Sequence, residues 1–192
     1  MSISFLTSCY LIKPYRISTM STIKSIRSAY QSQGIVPFYQ KHGSTYSNPH
    51  VQDIHKCMDV VFSMWKPPIN TVLDLSCGSG EITSHIKADN ITGIDPYTQE
   101  AYFKSTGKTA LPYSFEDIIN GAIQDHSYDL IICSFAMHLL EPSRLPSLCY
   151  ALAQVSNNLL ILSPHKKPVI SWAWNIQGEL YLNRVRARWY MC

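Results

Sequence analysis

One short segment constrains the fold of this chain more than any other: an apolar run, Thr71–Leu75, that leads into a loop of small residues. Apart from Asp74 the run is apolar, which is typical of a short strand buried inside a parallel sheet. The loop reads Ser-Cys-Gly-Ser-Gly-Glu, and its small residues allow a sharp turn and close approach of a ligand to the backbone. Ser76 and Thr83 stand where a dinucleotide-binding loop has glycine, and no Gly-Lys-Ser/Thr follows. The spacing therefore argues against a nicotinamide dinucleotide site and against a phosphate-cradling loop.

Similar apolar runs recur along the chain at Ile91–Ile94, Tyr128–Cys133 and Leu159–Leu162. The stretches between them are long enough for the crossover helices that parallel strands require. Amphipathic helices are predicted over residues 48–65, where an Asn-Pro pair marks the start, and over residues 145–155. The sequence thus predicts an α/β fold, a doubly wound and mostly parallel sheet of six or seven strands with helices on both faces.

The end of the chain has a different pattern. We interpret residues 178–183 as a short helix and residues 184–190, where basic and apolar residues alternate, as an exposed edge strand. On this interpretation, one strand of a final pair is missing. An uncovered edge favours a partner chain, so a homodimer through the face of Val185, Ala187 and Trp189 is a hypothesis.

Composition sets the remaining limits. With 192 residues, of which 46% are hydrophobic, the chain is long enough for one compact domain. The net charge of +3 is too small to require nucleic acid as a partner. The sequence has no apolar run of membrane-spanning length, and no membrane partner is expected. Six scattered cysteines without a C-x-x-C pair indicate reduced thiols, a cytoplasmic location and no metal site.

The opening stretch differs in composition from the remainder. No acidic residue occurs before Asp53, and this stretch carries basic, Ser and Thr residues. We divide the chain into a leader and candidate active-site lid, residues 1–47, and a ligand-binding domain, residues 48–192. Residues 1–20 are similar to a mitochondrial transit segment; an ordinary leader, or a true start at Met20, is the alternative we favour.

The loop and the acidic strand ends together resemble those of class I S-adenosylmethionine-dependent methyltransferases, and most closely those of small uncharacterised methyltransferase-domain proteins. In that family the first motif is an acidic strand end followed by a small-x-Gly-x-Gly loop. The resemblance implies S-adenosylmethionine as cofactor, with Asp95 binding the ribose and both Pro96 and Tyr97 beside the adenine. It places either Asp117 or Glu116 at the adenine edge. The implied cofactor-binding set is Asp74, Ser76, Cys77, Gly78, Gly80, Asp95, Pro96, Glu116, Asp117, Ser134 and Phe135.

The acceptor is less constrained than the cofactor. The resemblance makes His138, just after the fourth-strand motif, a candidate base that would take a proton from the nucleophile, although a structural histidine is the commoner case. Candidate substrate or lid residues are Tyr39, Tyr46, His50 and His165. The Asn/Asp-Pro-Pro-Tyr/Phe motif of amino-methylating DNA enzymes is absent. We expect a small oxygen, nitrogen or carbon acceptor; RNA is one alternative, and an inactive cofactor-binding sensor or partner subunit is the other.

Overall fold

A computed structural model describes residues 34–192 of the chain. Its six strands form one sheet in the order β2-β1-β3-β4-β6-β5. The first four strands are parallel, and the last two join the sheet in antiparallel pairing. The strands are β1 (Thr71–Leu75), β2 (Asn90–Ile94), β3 (Leu130–Ser134), β4 (Asn158–Ser163), β5 (Asn175–Leu182) and β6 (Val185–Met191). The predicted doubly wound, mostly parallel sheet is confirmed.

The strand order places a topological switch point between β1 and β3. From β1 the chain first moves outward to β2, and then crosses back to add β3 on the other side of β1. Because the connections leave β1 and β2 in opposite directions, a crevice opens at the carboxyl ends of the strands, where open α/β sheets bind ligands.

Helices cover both faces of the sheet. The α-helices are α1 (Ile35–His42), α2 (Val51–Trp65), α3 (Gln99–Thr106), α4 (Phe115–Ile119) and α5 (Leu145–Ala153). Two short 3-10 helices, Gly43–Thr45 and Met137–Leu139, lie at the ends of connections that approach the crevice.

Alternate side chains of each central strand point to opposite faces, as the two-residue period of a strand requires. Leu73 and Ile131 pack in one core with the buried side of α5. Val72 and Ile132 pack in the other with Ile54 and its neighbours on α2. Because both faces are covered, the central strands are apolar at nearly every position, which is the pattern seen in the sequence.

Two predicted helix boundaries need correction. The helix predicted from Asn48 begins at Val51, and the Asn48 side chain instead accepts a hydrogen bond from the His50 amide at 2.9 Å. The connection from β1 to β2, where a crossover helix is expected, contains a series of turns over residues 78–85. A short connection of this kind suffices because β2 lies immediately beside β1.

At the end of the chain the strand predicted over residues 184–190 is confirmed as β6, but its edge position and the helix predicted over residues 178–183 were wrong. Residues 178–183 belong to strand β5 and its turn, and the predicted edge strand, now β6, lies between β4 and β5. The final strand pair is therefore complete. Val185 and Ala187 are buried against α2 rather than available to a partner, which removes the basis of the proposed homodimer through this strand.

Within residues 34–192 no helix has the length and apolar character needed to cross a bilayer. The predicted boundary at residue 48 stays a prediction. Residues 1–33, including the candidate transit segment, lie outside the described residues.

Candidate functional site

A cavity of about 360 Å³ opens at the switch point, above the carboxyl ends of β1, β2 and β3. Its wall combines small polar residues from the strand ends with aromatic and aliphatic side chains. The lining residues are Val36, Tyr39, Tyr46, Ser76, Gly78, Asp95, Pro96, Tyr97, Ser114, Phe115, Glu116, Ser134, Phe135, Ala136, Leu139, Leu140 and Glu141. The fold therefore brings together ten residues that we predicted from the sequence: Tyr39, Tyr46, Ser76, Gly78, Asp95, Pro96, Tyr97, Glu116, Ser134 and Phe135.

The glycine loop forms one wall through three left-handed residues. Ser76, Gly78 and Gly80 have φ angles of 58°, 55° and 86°. The loop is closed by hydrogen bonds from the Cys77 amide to the Ile94 carbonyl at 3.0 Å and from the Gly80 amide to the Cys77 carbonyl at 2.8 Å. Ser76 and Gly78 line the cavity, whereas Cys77 and Gly80 face inward.

Gly80 supports the loop from below. A side-chain carbon at this position would lie 2.4 Å from Thr106 and 3.2 Å from the Tyr102 ring. Cys77 is buried against the same tyrosine. These two residues hold the loop in place and do not reach the cavity wall.

Asp74 lies beneath the loop and outside the cavity wall. Its Oδ2 accepts hydrogen bonds from the Thr83 hydroxyl at 2.8 Å and from the Thr83 amide at 3.2 Å. The Thr83 hydroxyl also lies 3.0 Å from the Tyr102 hydroxyl. Burial raises the pKa of Asp74 to about 8, which the hydrogen bonds from Thr83 only partly oppose. The position suggests that this acid anchors the segment that follows the loop.

Asp95, at the end of β2, joins the loop to the second strand. Its Oδ1 accepts from the Tyr97 amide at 2.9 Å and the Thr98 amide at 3.1 Å, and its Oδ2 accepts from the Gly78 amide at 3.4 Å. Burial raises the pKa of this carboxyl, and the hydrogen bonds oppose the shift. An ionised carboxylate has about four acceptor positions, so it retains capacity for a ligand hydroxyl.

The structure separates the two candidate acids of the third motif. Asp117 closes a capping box with Ser114, accepting from the Ser114 amide at 2.8 Å and donating its own amide to the Ser114 hydroxyl at 3.2 Å. Glu116 lines the cavity and is paired with Arg144, whose Nε lies 2.9 Å from its Oε1. Of the two candidate acids, Asp117 thus has a capping position, and Glu116 is the acid at the cavity wall.

Residues from the N-terminal side of the domain cover the cavity. Tyr39 stacks on Tyr97 with ring centroids 6.2 Å apart, and it contacts Tyr46 at 5.4 Å. Gly43 fits so closely that a side-chain carbon would lie 2.2 Å from the Tyr97 carbonyl oxygen. Tyr46 in turn lies against Gly78, where an added carbon would be 3.1 Å from its ring. Tyr39 and Tyr46 therefore cover the site, which is the position expected of a lid.

The three candidate histidines are near the site but do not line it. His138 and His165 make an edge-to-face contact at 4.7 Å, and His50 lies 5.5 Å from the Phe135 ring. Burial, together with the neighbouring His165, lowers the pKa of His138 to about 4. An imidazole with this pKa is neutral at pH 7 but a weak base. A catalytic role for His138 stays a prediction.

Sequence reasoning missed some wall residues. Val36 belongs to the segment that we treated as a leader, and nothing in its neighbourhood marks it as a ligand contact. Leu139, Leu140 and Glu141 follow β3, and the 3-10 helix that turns them toward the cavity has no clear sequence signal. In residues 34–192 no cluster of three His, Cys, Asp or Glu side chains could hold a metal ion.

The fold and the site together define a class: an open α/β protein with a glycine loop, an acidic second-strand end and a covered cavity at the switch point. Residues 73–155 match the family model described as a methyltransferase domain. An uncharacterised protein of Schizosaccharomyces pombe is 33% identical over 226 aligned residues, which cover 86% of this chain and 91% of that protein.

Solved structures show the same fold at low identity. The N-methyltransferase NodS of Bradyrhizobium japonicum, in complex with S-adenosylhomocysteine, has a TM-score of 0.60 and 13% identity over 84% of this chain and 97% of its own. The magnesium protoporphyrin IX methyltransferase of Synechocystis, with S-adenosylmethionine bound, has a TM-score of 0.52 and 15% identity over 86% and 94%. The chain belongs to the class I S-adenosylmethionine-dependent methyltransferase family.

Proposed function

We propose that the cavity binds S-adenosylmethionine and that the chain transfers its methyl group to a small-molecule acceptor. The observation that carries this proposal is the placement of the loop residues Ser76 and Gly78 next to Asp95 at the switch point. Family membership supports the cofactor, and the aromatic and aliphatic side chains in the cavity wall support a small acceptor.

The residues present fit the cofactor. The backbone of Ser76 and Gly78, which lines the cavity, would hold its amino acid part. The remaining acceptor capacity of Asp95 suits the ribose hydroxyls. Tyr97 and Phe115 offer apolar surface for the adenine. When bound, the cofactor supplies a methyl group on a positively charged sulfur, ready for in-line displacement by an oxygen, nitrogen or carbon nucleophile.

The protein's own contribution to such a reaction is orientation and exclusion of water. Tyr39 and Tyr46 cover the cavity and shield it from solvent on the lid side. Phe135 and Leu139 close the side beyond β3. Because the displacement needs no strong acid, a site without a histidine at its wall is compatible with it.

Cofactor binding is tested by calorimetric titration of the full chain with S-adenosylhomocysteine. We expect Asp95→Asn and Asp95→Ala to weaken binding by tenfold or more, since a hydrogen bond to a charged group contributes about 1.5 to 3 kcal/mol. The Asn variant keeps an oxygen for the Tyr97 and Thr98 amides, which separates loss of binding from loss of folding. Asp125→Ala, an exposed residue outside the cavity, is the control. Unchanged affinity in both Asp95 variants would remove the ribose assignment.

Methyl transfer is then tested with labelled cofactor against a panel of metabolites and RNA. Transfer to a metabolite supports the proposal, whereas transfer to RNA alone would replace the proposed acceptor class. Cofactor binding without any transfer would favour an inactive sensor or partner subunit.

We also propose a reducing, cytoplasmic location, supported by the four buried thiols of Cys57, Cys77, Cys133 and Cys149, which are free of disulfides.

A further inference from the structure

The charges of the cavity wall differ from those of the chain as a whole. The chain has a net charge of +3, with 16 basic and 13 acidic residues. Among the described residues, the charged side chains that line the cavity are Asp95, Glu116 and Glu141, and all three are acidic. An acidic wall in a basic chain is a local property of this site, and it favours cations over anions.

Two of these acids already have protein partners. Asp95 accepts three backbone amides, and Glu116 is bound by both its oxygens to the Arg144 guanidinium. Their positions at the end of β2 and at the start of α4 also assign them to the proposed cofactor. Neither is therefore the best candidate for contact with the acceptor.

Glu141 is different. Within residues 34–192 its carboxylate makes no ion pair and no side-chain hydrogen bond, yet it stands in the cavity wall. It follows Leu139 and Leu140 on the connection after β3, so its immediate neighbours in the wall are aliphatic. An unpaired carboxylate beside apolar surface can balance one positive charge on a ligand.

The remaining parts of the cavity wall suit a ligand that has a flat or aliphatic body and a cationic group. Tyr39, Tyr46 and Phe135 present aromatic rings, and Val36 adds a small apolar patch. Aromatic faces attract cations as well as apolar groups, because the ring carries negative charge on its face. They offer no compensation for a carboxylate or a phosphate, which would also meet the charge of Glu141.

We propose that the acceptor is a basic amine with an aromatic or aliphatic body, and that Glu141 selects its protonated form by charge over anionic acceptors of the same shape. Before transfer the ammonium group would lose one proton to the water that reaches this exposed side of the cavity. Its nitrogen lone pair could then form the new N–CH3 bond as the S–CH3 bond of the cofactor breaks. This inference rests on the proposed function and narrows its acceptor class. It also argues against RNA, because the basic residues Lys166 and Lys167 lie outside the cavity wall and leave the wall itself acidic.

The test uses pairs of compounds that share a ring and differ in charge: tryptamine with indole-3-propionate, and tyramine with 3-(4-hydroxyphenyl)propionate. Each is titrated into the full chain saturated with S-adenosylhomocysteine. We expect the amine of a pair to bind about fivefold or more tightly than its acid partner, as one solvent-accessible charge pair allows.

Glu141→Gln should reduce this preference about threefold, because it removes the negative charge and keeps the size of the side chain. The matched control is Glu100→Gln, on the exposed surface of α3 and paired there with Lys104. It should leave the preference as in the wild type.

The proposal is overturned if the acids bind as well as the amines, if no amine binds, or if Glu141→Gln leaves the preference intact. Titration of the free protein with S-adenosylhomocysteine is a separate first step. Failure there counts against the proposed cofactor site, whereas normal cofactor binding with any of the above outcomes counts against the amine assignment alone.

Discussion

Ser76 and Phe135 are the residues with the least common backbone conformations at the cavity wall, with φ angles of 58° and 57°. A left-handed conformation costs a residue with a side chain about 1 to 3 kcal/mol, and it persists only where the surroundings fix it. The Phe135 amide donates to the Leu162 carbonyl at 2.8 Å, which holds the turn after β3. Ser76 occupies the position where the related motif commonly has glycine, and its φ angle gives the physical reason for that preference.

Gly80 allows a sharper test at the same scale, because Gly107 is a matched control. Both have left-handed φ angles, 86° and 70°, but an added carbon meets Thr106 at 2.4 Å at Gly80 and nothing within 4 Å at Gly107. We expect Gly107→Ala to lose about 1 kcal/mol of unfolding free energy. Gly80→Ala should lose about 2 to 4 kcal/mol and weaken S-adenosylhomocysteine binding, because overpacking adds to the backbone cost. Urea unfolding measures the change in unfolding free energy, and calorimetry measures the change in affinity. If the two variants lose the same unfolding free energy, the Thr106 side chain moves aside without cost.

At the scale of whole elements, the sequence was informative where burial was uniform. The strands β1, β3 and β4 are covered on both faces, so their apolar runs mark them within two residues. Strand β5 is half exposed and carries Gly178 in its middle, which made it resemble a helix end. The reason for that glycine is tertiary: an added carbon would lie 2.8 Å from the Trp65 ring, a contact no local pattern reveals.

The segment before α2 provides the prediction that belongs to this scale. Gly43→Ala places a carbon 2.2 Å from the Tyr97 carbonyl oxygen, and a backbone atom there cannot rotate away. We expect residues 35–45 to separate from Tyr97, which should weaken S-adenosylhomocysteine binding and make the segment more sensitive to limited proteolysis. Because the two sheet cores do not involve Gly43, the unfolding free energy should change little. Ser44→Ala, exposed in the same 3-10 helix, is the control. If Gly43→Ala is cleaved at the same rate as the wild type, residues 35–45 do not depend on the contact between Gly43 and Tyr97.

For the molecule as a whole, strand order made the site predictable in outline. The family resemblance placed Ser76, Asp95 and Ser134 together, and the strand order gives the physical reason, because the ends of parallel strands on either side of a switch point must meet. What strand order does not determine is which way a side chain turns once the strand has ended. His138 and Glu141 lie three residues apart, yet only Glu141 lines the cavity.

The pH dependence of stability tests how deeply the cofactor loop is embedded in the molecule. Burial raises the pKa of Asp74 from its ordinary 3.8 to about 8, so between these values the folded state keeps a proton that the unfolded chain has lost. The stabilising effect of this proton is therefore complete below about pH 4, decreases as the pH rises, and is lost above about pH 8. From pH 6 to pH 9 we expect the wild type to lose about 2 kcal/mol more unfolding free energy than Asp74→Asn, which cannot ionise. Urea unfolding across this range measures the difference, and the Asp125→Asn control should follow the wild type. Parallel curves for wild type and Asp74→Asn would mean that water reaches this carboxyl, and that the loop is less tightly packed than its contacts with Thr83 and Tyr102 imply.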